Sequence, residues 1–120
     1  MKVLADKFRI RQVFVNLLTN SIKYGKDNGF TKLKFKVFDE TAIIEISDNG
    51  IGIEEKHLPR LFERFYRIDK GRSREQGGTG LGLSIVKHII EAHDQHITVS
   101  SQPGIGTTFT FTLKRAVKNS

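Results

Sequence analysis

A chain of 120 residues with 38% hydrophobic and 28% charged side chains is long enough to bury one core and too short to expect two, and its composition is that of a globular protein rather than a disordered or fibrous one. The lack of cysteine excludes disulfides and thiolate metal sites and is compatible with a reducing cytoplasm. The formal net charge of +7 is spread over a strand face (Lys32, Lys34, Lys36), a central loop and the tail, which predicts a solvated surface and no nucleic-acid partner.

Residues 6–24 are predicted to form a helix, because Ile10, Val13, Phe14, Leu17, Leu18, Ser21 and Ile22 follow the i, i+3, i+4 spacing of one buried stripe. Asp6 is its expected N-cap and Gly25 its stop. In "KLKFKVF" (32–38), Leu33, Phe35 and Val37 alternate with lysines as in a half-buried strand, and Asp39-Glu40 turns the chain. The next strand, "TAIIEIS" (41–47), puts Ala42, Ile44 and Ile46 on one face; continuing the alternation points the Asp48 carboxylate toward the same apolar layer. "DNGIGI" then interrupts, a short helical segment is expected around "PRLFERF" (59–65), and residues 66–80 read as a mobile polar loop. A second amphipathic helix is expected from Leu81 to about His93. "HITVSS" and "TTFTFTL", joined by a Pro103-Gly104 turn, form a closing hairpin with Phe109, Phe111 and Leu113 inward. The order predicts a two-layer α/β (α+β) sandwich, a mixed but mostly antiparallel sheet with its helices on one face. No apolar run approaches the roughly 18 residues of a membrane span, and "MKVLADKFRI" lacks the apolar core of a signal peptide.

Three features could carry chemistry. Asn16, Asn20 and Lys23 form a polar row along the first helix; it is either a solvated flank or a site for a magnesium nucleotide, since an amide oxygen can take one metal position and an ammonium can offset phosphate charge. Asp48 either accepts local bonds from its turn or receives a donor such as an adenine amino group, and Thr107 repeats that pattern on the last strand. The stretch "GGTGLGLSIVK" (77–87) lacks the lysine of a Walker A loop and the preceding strand of a dinucleotide fingerprint. It is either a flexible turn or a set of unobstructed backbone N–H groups at a helix N-terminus, where an anion is favoured.

"NLLTNSIKY" (16–24), "DNGIGI" (48–53), "LFERFYR" (61–67), "GGTGLGLSIVK" (77–87) and "GIGTTFTFTL" (104–113) occur in the order, and at about the spacing, of the N, G1, F and G2 boxes of sensor histidine kinases. The chain resembles the catalytic ATP-binding domain of a two-component histidine kinase, of the GHKL or Bergerat fold, over nearly all of residues 1–120. The resemblance implies ATP and Mg2+ as cofactors, with Asn20 on the metal, Asn16 beside it, Lys23 on the phosphates and Tyr24 against the base or ribose. It implies that Asp48 accepts the adenine amino group and that Gly50, Gly52 and Ile53 shape its pocket. Phe62 and Phe65 would anchor a lid over 66–79, and Arg64 or Arg67 would approach the phosphates. Thr79, Gly80, Leu81, Gly82 and Leu83 would offer backbone donors, and Thr107 or Thr108 would complete the adenine network.

The same resemblance makes the chain a fragment, monomeric when isolated, whose partners are the dimerisation and histidine phosphotransfer domain of its own kinase and a response regulator receiver domain. It would be the cytoplasmic part of a parent anchored in the bacterial membrane. None of His57, His88, His93 or His96 is followed by the acidic residue of the family's phosphoacceptor. Two other functions compete with this one: a GHKL ATP hydrolase and a non-catalytic regulatory module. Hydrolases of the superfamily carry a water-activating glutamate where this chain has Asn16, which cannot act as a general base. The chain also has "HDQH" (93–96) where the family usually has glycines, so Asp94 or Gln95 is expected to take up a glycine-like turn.

Overall fold

The structure, a computed structural model, describes residues 3–66, 68 and 82–116. In chain order these form β1 (Val3–Leu4), α1 (Lys7–Lys23), β2 (Thr31–Phe38), β3 (Thr41–Asp48), a 3-10 helix (Glu55–Arg60), α2 (Gly82–Ala92), β4 (Ile97–Gln102) and β5 (Gly106–Arg115). β5 is the centre of the sheet. One side pairs with β3, which pairs with the edge strand β2; the other side takes β4 and, further along, β1. Every ladder among the described residues is antiparallel, so the expected mixture of strand directions is not found there. β1 was not anticipated, because two residues carry no readable period.

Both helices lie on one face. Ile10, Val13 and Leu17 of α1 and Val86, Ile89 and Ile90 of α2 close over Ala42, Ile44 and Ile46 of β3 and Phe109, Phe111 and Leu113 of β5. Phe111 is fully buried and meets Phe14 edge to face, with ring centroids 5.6 Å apart. Each such aliphatic or aromatic side chain stabilises the fold by roughly 1.5–3 kcal/mol relative to exposure.

Both ends of α1 and the C-terminal end of α2 are capped. Asp6 caps α1 as expected, its Oδ1 accepting from the backbone N–H groups of Phe8 at 3.0 Å and Arg9 at 3.1 Å. The Asp6 N–H itself donates to His93 Nε2 at 3.0 Å, while the other ring nitrogen, Nδ1, lies 2.8 Å from the Ile89 carbonyl. These two bonds require the neutral tautomer protonated on Nδ1, and they tie the start of α1 to the end of α2. Asp94 adopts φ 57°, its N–H bonding the Glu91 carbonyl and that of Gln95 the Ile90 carbonyl, so an aspartate takes the left-handed position of a Schellman cap. α1 ends at Lys23 with Tyr24 as C-cap, one residue before the expected stop at Gly25.

Three expectations are corrected. Ile22 is 76% exposed, because α1 turns it past the edge of the layer that buries Ser21. Leu33, Phe35 and Val37 share a face with Ile46, Ile44 and Ala42 by register, yet remain 40%, 52% and 48% exposed: the helices cover β3 and β5, and among the described residues nothing covers the edge strand. The helical segment expected at 59–65 instead spans Glu55–Arg60 as a 3-10 helix containing Pro59, and gives way to turns in which Phe65 has φ 64°.

Candidate functional site

The site is built where the C-terminal half of α1 meets the ends of β3, β4 and β5. Asp48 closes β3 on the core-facing side, as its alternation predicts, and its carboxylate is held from two directions. Its Oδ1 accepts the Gly50 N–H at 2.9 Å, and its Oδ2 accepts the Ser21 hydroxyl at 3.2 Å; Ser21 Oγ also lies 2.7 Å from Thr31 Oγ1. The Tyr24 carbonyl, freed at the end of α1, accepts the Ile51 N–H at 3.1 Å. The Ile51 carbonyl accepts from Gly104 at 2.7 Å, and Lys26 Nζ donates to the Gly104 carbonyl at 3.2 Å. The end of α1, the "DNGIGI" turn and the β4–β5 turn are thereby laced together.

Two glycines allow this closeness. A Cβ on Gly50 would fall on the Tyr24 carbonyl oxygen and within 3.0 Å of Asp48 Oδ1. Gly52 has φ 76°, and a Cβ there would collide with the Gln102 carbonyl. Ile53 is buried, and its N–H donates to Ser101 Oγ at 2.8 Å. Ser101 in turn bonds the Gly106 carbonyl and Thr107 Oγ1, each at 2.8 Å.

The register separates the two threonines. Thr107 stands opposite Asp48 on the same face and is buried, whereas Thr108 Oγ1 bonds Ser47 Oγ at 2.9 Å on the outer face of the sheet. Alternation directs the Thr108 side chain away from Asp48 and leaves Thr107, of the two candidates, on the Asp48 face.

Asn16, Asn20, Lys23 and Tyr24 are all half-buried along the flank of α1. The start of α2 comes up beside this row, a Cβ placed on Gly82 lying 4.0 Å from Asn16 Cγ. The Lys23 ammonium sits 5.0 Å from the centre of the Tyr24 ring. Leu83 is half-buried and packs against the core. No group of three His, Asp or Glu among the described residues could hold a metal ion. A divalent cation here fits only as one shared between an amide oxygen and oxygens brought by a ligand, the hard donor set that magnesium takes.

The segment after the 3-10 helix divides its two phenylalanines. Phe62 meets Phe109 edge to face at 6.2 Å, but Phe65 is 62% exposed, so only Phe62 packs against the sheet. Arg64 lies over the neighbouring Phe65 ring, 5.5 Å from its centre. Arg60 bonds Glu63, Nη2 reaching Oε1 at 3.2 Å, and those hydrogen bonds raise the guanidinium above its ordinary value. It also stacks over Tyr66, whose hydroxyl is bonded by His57 Nδ1. Arg67, Thr79, Gly80 and Leu81 lie outside the described residues, as does the proposed lid apart from residues 66 and 68.

Sequence reasoning missed Ser21, Thr31 and Ser101 as site residues. The only signal for Ser21 was a hydroxyl in an otherwise apolar stripe; Thr31 and Ser101 carried none.

Across residues 5–117 the sequence matches the family of histidine kinase-, DNA gyrase B- and HSP90-like ATPases, and the chain belongs to it. The phosphate regulon sensor protein PhoR of Pseudomonas aeruginosa is 46% identical over 101 residues, covering 84% of this chain and 23% of that protein. Sensor histidine kinase WalK of Bacillus subtilis is 44% identical over 110 residues, covering 90% of this chain and 18% of that protein. Among solved structures, the mycobacterial sensor histidine kinase MprB matches with a TM-score of 0.82 at 30% identity, over 94% of this chain and 76% of that one. Full-length ShkA, solved in complex with AMPPNP, matches with a TM-score of 0.82 at 28% identity, over 97% of this chain and 24% of that one. The chain is thus an ATP-binding domain of the sensor histidine kinase kind, with the expected α+β architecture, and it spans about a fifth of the PhoR and WalK proteins.

Proposed function

We propose that this domain binds Mg-ATP and transfers its γ-phosphate to a histidine on the dimerisation domain of the same kinase, as the catalytic piece of a longer, membrane-anchored sensor. The observation that carries this reading is the span of α1. Ser21 touches Asp48 at one end of the site and Asn16 abuts the start of α2 at the other. They are five positions apart along the helix, about 7.5 Å at 1.5 Å per residue, which suits a nucleoside with its base at Asp48 and its phosphates at α2.

In this reading Asp48 accepts from the adenine amino group, Gly50, Gly52 and Ile53 shape the base pocket, and Thr107 closes it through Ser101. Tyr24 packs beside the base or ribose. Magnesium, when bound with the nucleotide, offsets the charge of the phosphates. Asn20 supplies an amide oxygen to it with Asn16 alongside, and Lys23 adds a positive charge. The first backbone N–H groups of α2, with those of Thr79, Gly80 and Leu81, would donate to the phosphates, and Arg64 or Arg67 would add positive charge there. The AMPPNP bound by ShkA supports a nucleotide triphosphate as ligand.

The transfer breaks the bond between the γ-phosphorus and the bridging oxygen, leaves ADP, and forms a phosphorus–nitrogen bond on the acceptor imidazole. Such a reaction needs positioning and charge compensation more than a protein nucleophile. His57 and His93 are already engaged in Tyr66 and the helix ends, which supports an acceptor on a separate domain. A response regulator receiver domain would take the phosphate onward.

The test is incubation with γ-labelled ATP and the separately expressed dimerisation domain of the same kinase. Label on that domain, stable to base and lost in acid, is the expected result. Release of free phosphate without labelling would indicate a hydrolase, and nucleotide binding with neither would indicate a regulatory module.

A further inference from the structure

We propose that Ser21 is a positioning residue for base recognition, acting with Thr31 as a two-hydroxyl relay that fixes the orientation of the Asp48 carboxylate. The inference rests on the reading that Asp48 receives the base.

The relay has a direction. Each hydroxyl carries one proton, and a carboxylate only accepts, so Ser21 spends its proton on Asp48 Oδ2 at 3.2 Å. Its oxygen is then left to accept from Thr31 Oγ1 at 2.7 Å. The three residues come from α1, β2 and β3, and the register sets Thr31 directly opposite Asp48. With the Gly50 N–H on Oδ1 at 2.9 Å, both carboxylate oxygens carry a donor and the side chain cannot rotate without losing one. One acceptor direction per oxygen remains for a ligand. Removing either donor frees the torsion that aims it.

Packing alone does not account for Ser21. It is 4% exposed within a stripe of Ile10, Val13 and Leu17, where a hydroxyl is costly unless bonded. Here one partner of that hydroxyl is the carboxylate, and the other, Thr31, takes up the accepting side of the Ser21 oxygen. Thr31, by contrast, is exposed, so its side chain can be changed without opening the core.

The experiment measures affinity for ATP and for purine riboside triphosphate, which lacks the exocyclic amino group, in the wild type, Ser21→Ala, Thr31→Val and Thr31→Ser. Ser21→Ala is expected to weaken ATP about fivefold to tenfold, from a misaimed charge-assisted hydrogen bond, with purine riboside triphosphate changing less than twofold. Thr31→Val should move ATP in the same direction by a smaller factor, and Thr31→Ser should match the wild type. Equal losses for both nucleotides in Ser21→Ala, or no loss in either Ser21→Ala or Thr31→Val while the wild type still prefers ATP, would overturn the positioning role alone. A wild type that binds the two nucleotides equally would overturn both this inference and the base reading beneath it.

Discussion

Replacing Asp48 by asparagine tests the base end of the site with little change in shape. In the folded domain the asparagine oxygen can still accept the Gly50 N–H that now reaches Oδ1 at 2.9 Å. The new amide N–H2 then faces Ser21, whose hydroxyl can reverse to accept, so the fold is retained and the urea midpoint should move little. Toward a bound adenine the same N–H2 opposes the exocyclic amino group, donor against donor. The loss is one hydrogen bond to a charged acceptor, about 1.5–3 kcal/mol, or roughly 10- to 150-fold in Kd. ATP and ADP should weaken by the same factor, because the phosphate end is untouched. Competition against a fluorescent nucleotide reads both affinities. ATP affinity within twofold of wild type, or a loss confined to ATP, would refute the reasoning, as would a wild type that bound GTP as tightly as ATP.

Asn20→Ala should abolish the magnesium dependence of ATP affinity, read as the difference between titrations with magnesium and with EDTA; an unchanged difference removes Asn20 from the metal. Asp6→Ala removes the acceptor of the Phe8 and Arg9 N–H groups at the start of α1 and should cost about 1 kcal/mol in urea denaturation without altering nucleotide affinity. Asp94→Gly relieves a side chain held at φ 57° and should raise stability by some tenths to about 1 kcal/mol; a loss would mean the aspartate is stabilising the turn in some other way. Phe62→Ala should destabilise the domain by about 3 kcal/mol through its contact with Phe109, while Phe65→Ala should stay within about 0.5 kcal/mol because the ring is exposed.

Much of the architecture is legible in the residues. A 3.6-residue stripe and a capping aspartate mark α1, and period-2 alternation marks β2, β3 and β5 and carries Asp48 onto the inner face. The order of the five motifs identifies the kind of domain. The lack of the family's usual glycine between helix and strand predicts a glycine-like turn at Asp94 or Gln95, and the structure places it at Asp94. These are local properties, set by which side chains share a face and by which backbone conformations each residue tolerates.

Alternation does not say whether a face is covered, and that is where tertiary structure decided. Leu33, Phe35 and Val37 read as the inward face of a half-buried strand, but β2 is an edge strand that α1 touches at Thr31 and leaves uncovered along these three side chains. Phe62 and Phe65 are equivalent in the motif, yet only Phe62 meets the sheet. Thr107 and Thr108 are separated by the β3–β5 register, and the Ser21–Thr31–Asp48 relay joins residues 10 and 27 positions apart. Hydrogen bonds between such positions depend on how the helix and the strands are packed together, a relation that no local period contains.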